Sequence, residues 1–402
     1  MTGQSTDRSY RALLAIPSMV PLLLGMQIAR IAQSMVSVTL VLFTLNEYRS
    51  ATLAGWVTFC AIFPGLVVSP VAGALLDRHG RRRLVILDYL AALAALALIG
   101  ILAIAQALPA WLLVVIAAIS SLTAPLSATG LRSLFPLIVP SHLWERVNAI
   151  DSTGYVMATV VGPPLAASMV AVWGGEVVFI VIGLIFGLAA ILITRAPDPP
   201  GQTGTKRSLL VESWEGLVYT WGNPTLRRLG FSISVNNLVN GILTIVVPLI
   251  VLQNLRLTET VVGVVFAIQG VTGIVSAVVF GRIDSRNRER MMLALPMLGS
   301  GLAVAGLLLR MDLYVLLLVM AVTGFLNGPL DIALFTLRQR RTDPSWTGRA
   351  FAVSMSFNYI GIPVGSAIGG MVATRSLESA VSVGVLTCLA SAAIAVWMIP
   401  PR

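Results

Sequence analysis

Charge is what this sequence has least of. Only 11% of its 402 residues are Asp, Glu, Lys or Arg, against about a quarter in an ordinary globular domain. A large water-soluble protein would need charged helix faces to meet solvent, and those faces are missing. There is a single lysine, Lys206, and it follows Thr205. No phosphate-cradling Gly-x-x-x-x-Gly-Lys-Ser/Thr loop therefore exists, which excludes an ATP-driven pump carried on this chain. The two histidines, His79 and His142, stand far apart in polar connectors, and neither His-Glu-x-x-His nor Gly-x-Ser-x-Gly occurs. Cys60 and Cys388 both sit in apolar runs and read as small hydrophobes, not as a disulfide or a metal site. No enzyme, no metal and no organic cofactor is expected.

In place of charge the chain has hydrocarbon. Hydrophobic residues make up 57% of it, and its mean hydropathy is +0.90. Twelve apolar runs can be counted: Ile16–Leu45, Ala54–Leu76, Leu84–Ala107, Pro109–Val139, Val147–Trp173 and Val177–Thr194, then Leu226–Leu252, Val261–Phe280, Met291–Leu309, Leu313–Leu337, Ala350–Ala373 and Ala380–Ile399. As helices such runs cross roughly 30 Å of hydrocarbon. The short alternating strands of a membrane barrel are absent, and the first run is too long for the core of a signal peptide. The expected fold is all-α and integral to the membrane, with twelve transmembrane helices in two six-helix halves.

Proline and glycine mark the division. Pro197-Asp198-Pro199-Pro200-Gly201 cannot continue a helix, so the sixth run stops there. Ser208 to Trp221 then reads as an amphipathic helix with Leu209, Leu210, Trp214, Leu217, Val218 and Trp221 on one face, suited to lie on the membrane surface. The expected domains are 1–195, a linker 196–225, and 226–402. Arginine placement sets the orientation. Apart from Arg30 inside the first run, only Arg49, Arg256, Arg310 and Arg375 fall on the side opposite the termini. The positive-inside rule then puts both termini in the cytoplasm, in a cell membrane. The net charge of +10 resides in these short connectors and forms no basic domain, so no nucleic acid is expected as partner. The partners are the lipid bilayer and a small-molecule substrate, and the architecture needs no protein partner, so a monomer is expected.

The densest connector is Gly73-Ala74-Leu75-Leu76-Asp77-Arg78-His79-Gly80-Arg81-Arg82-Arg83, read as a loop between runs two and three. A weaker echo, Ile283-Asp284-Ser285-Arg286-Asn287-Arg288-Glu289-Arg290, sits between runs eight and nine, and Pro140 through Arg146 is echoed by Pro344 through Arg349. Six spans per copy preserve the direction of the chain, so this is a parallel repeat about an axis normal to the membrane.

Gly73, Asp77, Arg78, Gly80, Arg81 and Arg82 resemble the signature loop of the major facilitator superfamily, and the resemblance extends over the whole chain. It implies a secondary transporter that alternates between inward- and outward-facing states. It also implies that Asp77 latches the halves by facing the N-terminus of span eleven, where a carboxylate meets the helix dipole. Arg78 and Arg81 would hold carboxylates such as Asp88 or Asp151. Asp284 and Arg288 would form a second, degenerate latch. In run five, Gly154 and Gly162-Pro163-Pro164 resemble the glycine–proline signature of the antiporter branch, where proline bends the helix and glycine admits a close neighbour.

Charge at membrane depth is costly and marks function. Arg30, at the middle of the first run with Gln27 and Gln33 beside it, must face either a central cavity or a partner carboxylate. Its repeat-related position is Asn236, with Asn240 a turn further on. Asp331 lies about 9 Å past the midpoint of run ten and is the preferred proton carrier, ahead of Asp151 and Asp88. The preferred function is proton-coupled efflux of a small organic compound, with H+ as coupling ion. The alternatives are a proton-coupled importer of a nutrient or metabolite, and a non-transporting receptor or assembly factor on the same scaffold.

Overall fold

The computed structural model describes residues 7, 9–198, 209–281, 288–343 and 347–398. Among these there is no strand, and eleven helices are long and apolar enough to cross a membrane. The remaining crossing is a broken one. The run from Ala350 to Ala373 is built as two helices, Thr347–Tyr359 and Gly361–Ala373, of 13 residues each. The described chain therefore crosses twelve times and its first and last described residues share one face, called here the terminal face. Spans one to six are Met19–Tyr48, Ala51–His79, Arg81–Ile104, Ala110–Ile138, Trp144–Trp173 and Gly175–Ile193. Spans seven to ten and twelve are Pro224–Leu249, Glu259–Phe280, Glu289–Leu309, Leu313–Arg341 and Leu377–Met398.

Helix ends follow local chemistry. Ser50 accepts from the Leu53 amide at 3.2 Å to open span two, and Asp312 accepts from the Val315 amide at 2.9 Å to open span ten. Two features depart from expectation. The basic connector is not an eleven-residue loop, because span two remains helical to His79 and span three begins at Arg81. Only Gly80 turns the chain, at φ +90°, and a Cβ there would also press on the Asp198 carboxylate at 2.8 Å. Span four is interrupted at Leu122 and Thr123, between Ala110–Ser121 and Ala124–Ile138, just ahead of Pro125. Span five, in contrast, stays helical through Pro163 and Pro164.

A helix from Leu209 to Gly222 links the halves. Val211, Trp214, Leu217, Val218 and Trp221 are exposed along it, while Thr220 is buried. Trp221 meets Phe231 of span seven and Phe357 of span eleven edge-on, at 5.8 and 6.2 Å. The linker thus rests on the second half with an apolar face left outward, as an interfacial helix does.

The halves touch most closely at the far face, opposite the termini. Val41 and Leu45 of span one, Ala51 and Ala54 of span two, and Ile245 and Leu249 of span seven form one buried cluster. Asn46 donates to Glu259 across the same seam at 2.9 Å. Small residues make the approach possible. A Cβ on Gly55 would run into the Ser366 carbonyl and stand 3.2 Å from the Cα atoms of Ala367 and Gly370, and one on Gly263 would press on Pro164 and Ala167. Nearer the terminal face, Ser69 of span two and Ser356 of span eleven meet across the seam at 3.0 Å.

Gly55→Val should therefore disfavour the closed far face, by about 1–3 kcal/mol from overpacking. Spin labels at the far ends of spans two and eleven should report a longer separation than in the parent. An unchanged distance distribution with an unchanged melting temperature would show that this seam does not hold the state.

Candidate functional site

Three charged side chains from three spans meet inside the first half. Arg30 of span one donates from Nη2 to Asp151 Oδ1 at 2.5 Å and from Nη1 to the Asp151 carbonyl at 2.6 Å. Arg132 of span four reaches the other oxygen, Nε to Oδ2, at 2.9 Å. The Arg30 and Asp151 side chains are 18% and 9% exposed, whereas Arg132 is 52% exposed. Arg30 is thus neutralised where water is scarce, and Arg132 holds the pair from the open side. Of the two roles open to Arg30 from sequence, the carboxylate partner is the one found. By charge alone Arg132 counts only among the basic residues of the terminal side. Depth was the clue, since it lies six residues before the end of span four and Asp151 seven into span five. Both are about 10 Å from the terminal face.

From this triad a line of polar groups crosses to the second half. The Arg132 guanidinium lies over the Tyr155 ring at 5.9 Å, within cation–π range. Tyr359, at the break in span eleven, faces Tyr155 and stands within electrostatic reach of Asp331 and Arg132. Asp331 is exposed yet closely surrounded by protein, as a group lining a narrow open cleft is. Tyr155 and Tyr359 were not anticipated, since an uncharged tyrosine at membrane depth carries no cost to mark it.

The amides divide. Asn236 is 5% exposed and accepts from Ser391 of span twelve at 3.5 Å, so it packs the second half together. Its neighbours face the other way. Asn240 donates to Asn237 at 3.2 Å, and Asn237 to the Asn358 carbonyl at 3.0 Å, one residue ahead of Tyr359 at the break in span eleven. Asn236 and Asn240 were expected on one face, and the bonded pair is Asn237 with Asn240. Gln27 donates to the Ile150 carbonyl at 3.1 Å and lies against Gly154, where a Cβ would have to displace the Gln27 amide. Gly162 similarly admits Ser34 of span one. The two glycines of the expected signature therefore seat span one against span five, and beside Gln27 and Gly154 a cavity of about 380 Å³ opens next to Tyr10 and Met157.

The signature arginines act within the first half. Arg82 donates to the carbonyls of Thr194 and Ala196 at 3.1 and 2.6 Å, and Asp198 accepts from the Arg82 amide at 3.2 Å, capping span three. Arg81 donates to Ser133 of span four at 3.0 Å, and Arg78 is exposed. The expectation that Arg78 and Arg81 hold Asp88 or Asp151 is thus corrected. Asp151 is taken by Arg30 and Arg132, and Asp88 lies beside Ser127 and Thr123. Among the described residues, Asp198 is a carboxylate that serves this turn. The surroundings of Gly73, the side chain of Asp77 and all of Asp284 lie outside what is described. Arg288 is exposed just before span nine, whose first residue, Glu289, pairs with Arg340 of span ten.

Two six-helix halves closed at one face, with a polar cleft between them at membrane depth, define a secondary transporter. The chain belongs to the Major Facilitator Superfamily, whose profile matches residues 22–232 and 229–402. It is 36% identical to the MFS-type transporter y4rN of Sinorhizobium fredii (strain NBRC 101917 / NGR234), over 98% of this chain and 97% of that one. It is 27% identical to the multidrug efflux pump Tap of Mycolicibacterium fortuitum, over 88% and 89% of the two chains. Identity to the macrolide efflux protein A of Streptococcus pyogenes is 21%, over 87% and 88%. Among solved structures it is similar in fold to the nucleoside transporter NupG, with a TM-score of 0.74 at 12% identity, covering 94% of this chain and 98% of that one. A bacterial homologue of the iron transporter ferroportin in an inward-facing state gives 0.69 at 18% identity, over 94% and 97%.

Asp151→Asn leaves Arg30 without its counter-charge and should cost about 3–5 kcal/mol, read as an earlier thermal midpoint in detergent. Arg132→Ala, which removes a half-exposed partner, should cost roughly 1 kcal/mol or less. The Arg30→Gln, Asp151→Asn double variant should recover most of the loss, because neither charge is then stranded. Equal midpoints for Asp151→Asn and Arg132→Ala would refute the pair as a stabilising element.

Proposed function

We propose that the protein exports a small, amphipathic organic compound across the cell membrane in exchange for protons, with both termini in the cytoplasm. The observation that carries this reading is Asp331, an exposed acidic group at membrane depth within electrostatic reach of Tyr359, which faces Tyr155 beside the triad of the opposite half. A carboxylate in that position is costly to keep charged and gains by taking up a proton. Tyr359 faces the opposite half, so proton uptake at Asp331 can be linked through it to the motion that moves substrate. Export is favoured by the relatives named as efflux proteins.

Sidedness comes from arginine, since the connectors of the terminal face hold most of the basic residues. On that assignment the closed far face is the outer one, and the cleft opens inward, the state that collects substrate from the cytoplasm. Substrate binds between the halves, with Asn240 on span seven and the Arg30–Asp151–Arg132 triad on the first half as its polar boundary. Apart from the proton that Asp331 takes up and releases, no residue in this scheme forms or breaks a covalent bond, and no cofactor beyond that coupling ion takes part.

Asp331→Asn should insert and fold, yet its transport should no longer respond when the proton gradient is collapsed. In everted vesicles the parent protein should accumulate substrate in response to an acid interior. Unimpaired proton-coupled transport by the variant would remove Asp331 from the mechanism, and accumulation only in right-side-out vesicles would reverse the direction.

A further inference from the structure

The second segment of span four, Ala124–Ile138, begins at the break and carries Arg132. Its start is held from a neighbouring helix. Asp88 of span three is 5% exposed and lies about 10 Å from the terminal face. The hydroxyls of Thr123 and Ser127 and the Ser127 amide hydrogen-bond to its carboxyl group. Asp88 therefore caps this segment from outside, and an ionised carboxyl gains there from the donors and from the helix dipole. A cation gives it nothing, since among the described residues no basic side chain forms an ion pair with it.

Burial without a counter-charge is costly for the ionised form, and the same partners serve the neutral form equally well. Each hydroxyl has one proton to give. Thr123 reaches the Ser120 carbonyl at 3.2 Å, and Ser127 reaches the Ala124 carbonyl at 3.3 Å. With Asp88 ionised, both hydroxyls turn to the carboxylate. With Asp88 protonated, its own O–H donates to a hydroxyl oxygen, and the hydroxyl protons return to carbonyls of their own helix. Neither state strands a donor, so the two differ chiefly in the charge that the helix end attracts. A cavity of about 50 Å³ beside Asp88 has room for one water. Span one lines it with Gln33, Val36 and Leu40, span two with Ala61 and span six with Phe186, none of them titratable. Gln33 is exposed, one turn from Arg30, so the cavity has a mouth through which a proton can come. The nearby charges are Arg30, within electrostatic reach of the adjoining Tyr89, and Arg132 further along span four, and Asp151 holds both.

We propose that Asp88 is a second proton-binding residue of the transport cycle, and that proton uptake there loosens the cap on Ala124–Ile138 and so moves Arg132. The proton passes from water in the cavity to a carboxylate oxygen, and no other bond is made or broken. Arg132 lies five residues past Ser127 on the same segment, so a small rotation about the break changes its reach to Asp151. This deepens the proton-coupled reading given above and rests on it for the role in transport, whereas the titration of Asp88 is measured without transport.

Infrared difference spectra of the full-length purified protein, recorded as the pH is lowered, test this. A neutral-carboxyl band should grow in the parent and in Asp331→Asn and be missing from Asp88→Asn. Spin labels at the exposed Leu87 of span three and Leu137 of span four, with Cys60 and Cys388 replaced by alanine, should report a distance that changes with the same midpoint. Asp88→Asn should fix that distance. Ser127→Ala removes a donor to the ionised form and should move the midpoint to higher pH by about one unit, which reads the site even where Asp88→Asn fails to fold. In vesicles, Asp88→Asn should carry one proton fewer per substrate than the parent. An Asp88 band that is absent or constant at every pH overturns the proposal, as does a Ser127→Ala midpoint equal to the parent's or a distance that still moves in Asp88→Asn. An unchanged proton ratio in Asp88→Asn overturns the role in transport alone, whereas parent transport that ignores the proton gradient overturns that role together with the coupled reading.

Discussion

An arginine at the middle of a membrane-crossing helix has to find an anion. Arg30 finds both a carboxylate oxygen and a carbonyl of Asp151, at 2.5 and 2.6 Å. Much of the first half is arranged around that requirement. Span five must come close enough to span one for the contact, and Gly154 and Gly162 allow it by leaving room for Gln27 and Ser34. Span four must bring Arg132 to the second carboxylate oxygen, which leaves that guanidinium half in the cleft. One desolvated charge thereby fixes the relative positions of three helices. It also places a cation beside Tyr155, where the line of polar groups toward the other half begins.

Lipid offers no hydrogen bonds, so backbone irregularity at this depth has to be satisfied by protein or lie against an open cleft. Both broken spans obey this. The break in span eleven follows a residue whose carbonyl is held by Asn237, and it presents Tyr359 to the cleft. The break in span four is lined by hydroxyls that bond back to their own helix, with Asp88 alongside. In each case an interruption in the helix coincides with an ionisable group at depth. The far face shows the opposite condition, where unbroken helix ends close over one another through small residues and an apolar seam.

The twelve crossings, the division into halves and the linker helix could all be read from hydropathy and proline. Each depends on local composition over twenty or so residues, which a bilayer samples directly. The membership in the superfamily was legible from one dense motif, although its geometry was not. Residues Gly73 to Arg83 looked like a loop because they are charged, yet long charged side chains at a helix end can reach water without the backbone leaving the helix, and only Gly80 leaves it. The amides of span seven illustrate a second limit. Asn236 and Asn237 are adjacent in sequence, but one turns to Ser391 and the other to Asn358. Helical periodicity says which residues share a face and is silent on which neighbour that face meets.

By itself the sequence determined that this chain lives in a membrane, how many times it crosses, which residues at depth are too costly to be accidental, and on which side its basic connectors gather. These properties follow from the solvent preferences of single residues and short windows, and need no knowledge of what packs against what. Only the tertiary structure decided which anion Arg30 meets, that Asp198 and not Asp151 serves the basic turn, and that Tyr155 and Tyr359 stand between the halves. Pairing across helices is set by rotation and depth after packing. A shift of one residue turns a helix by about 100°, which is enough to exchange a cleft-lining group for a buried one.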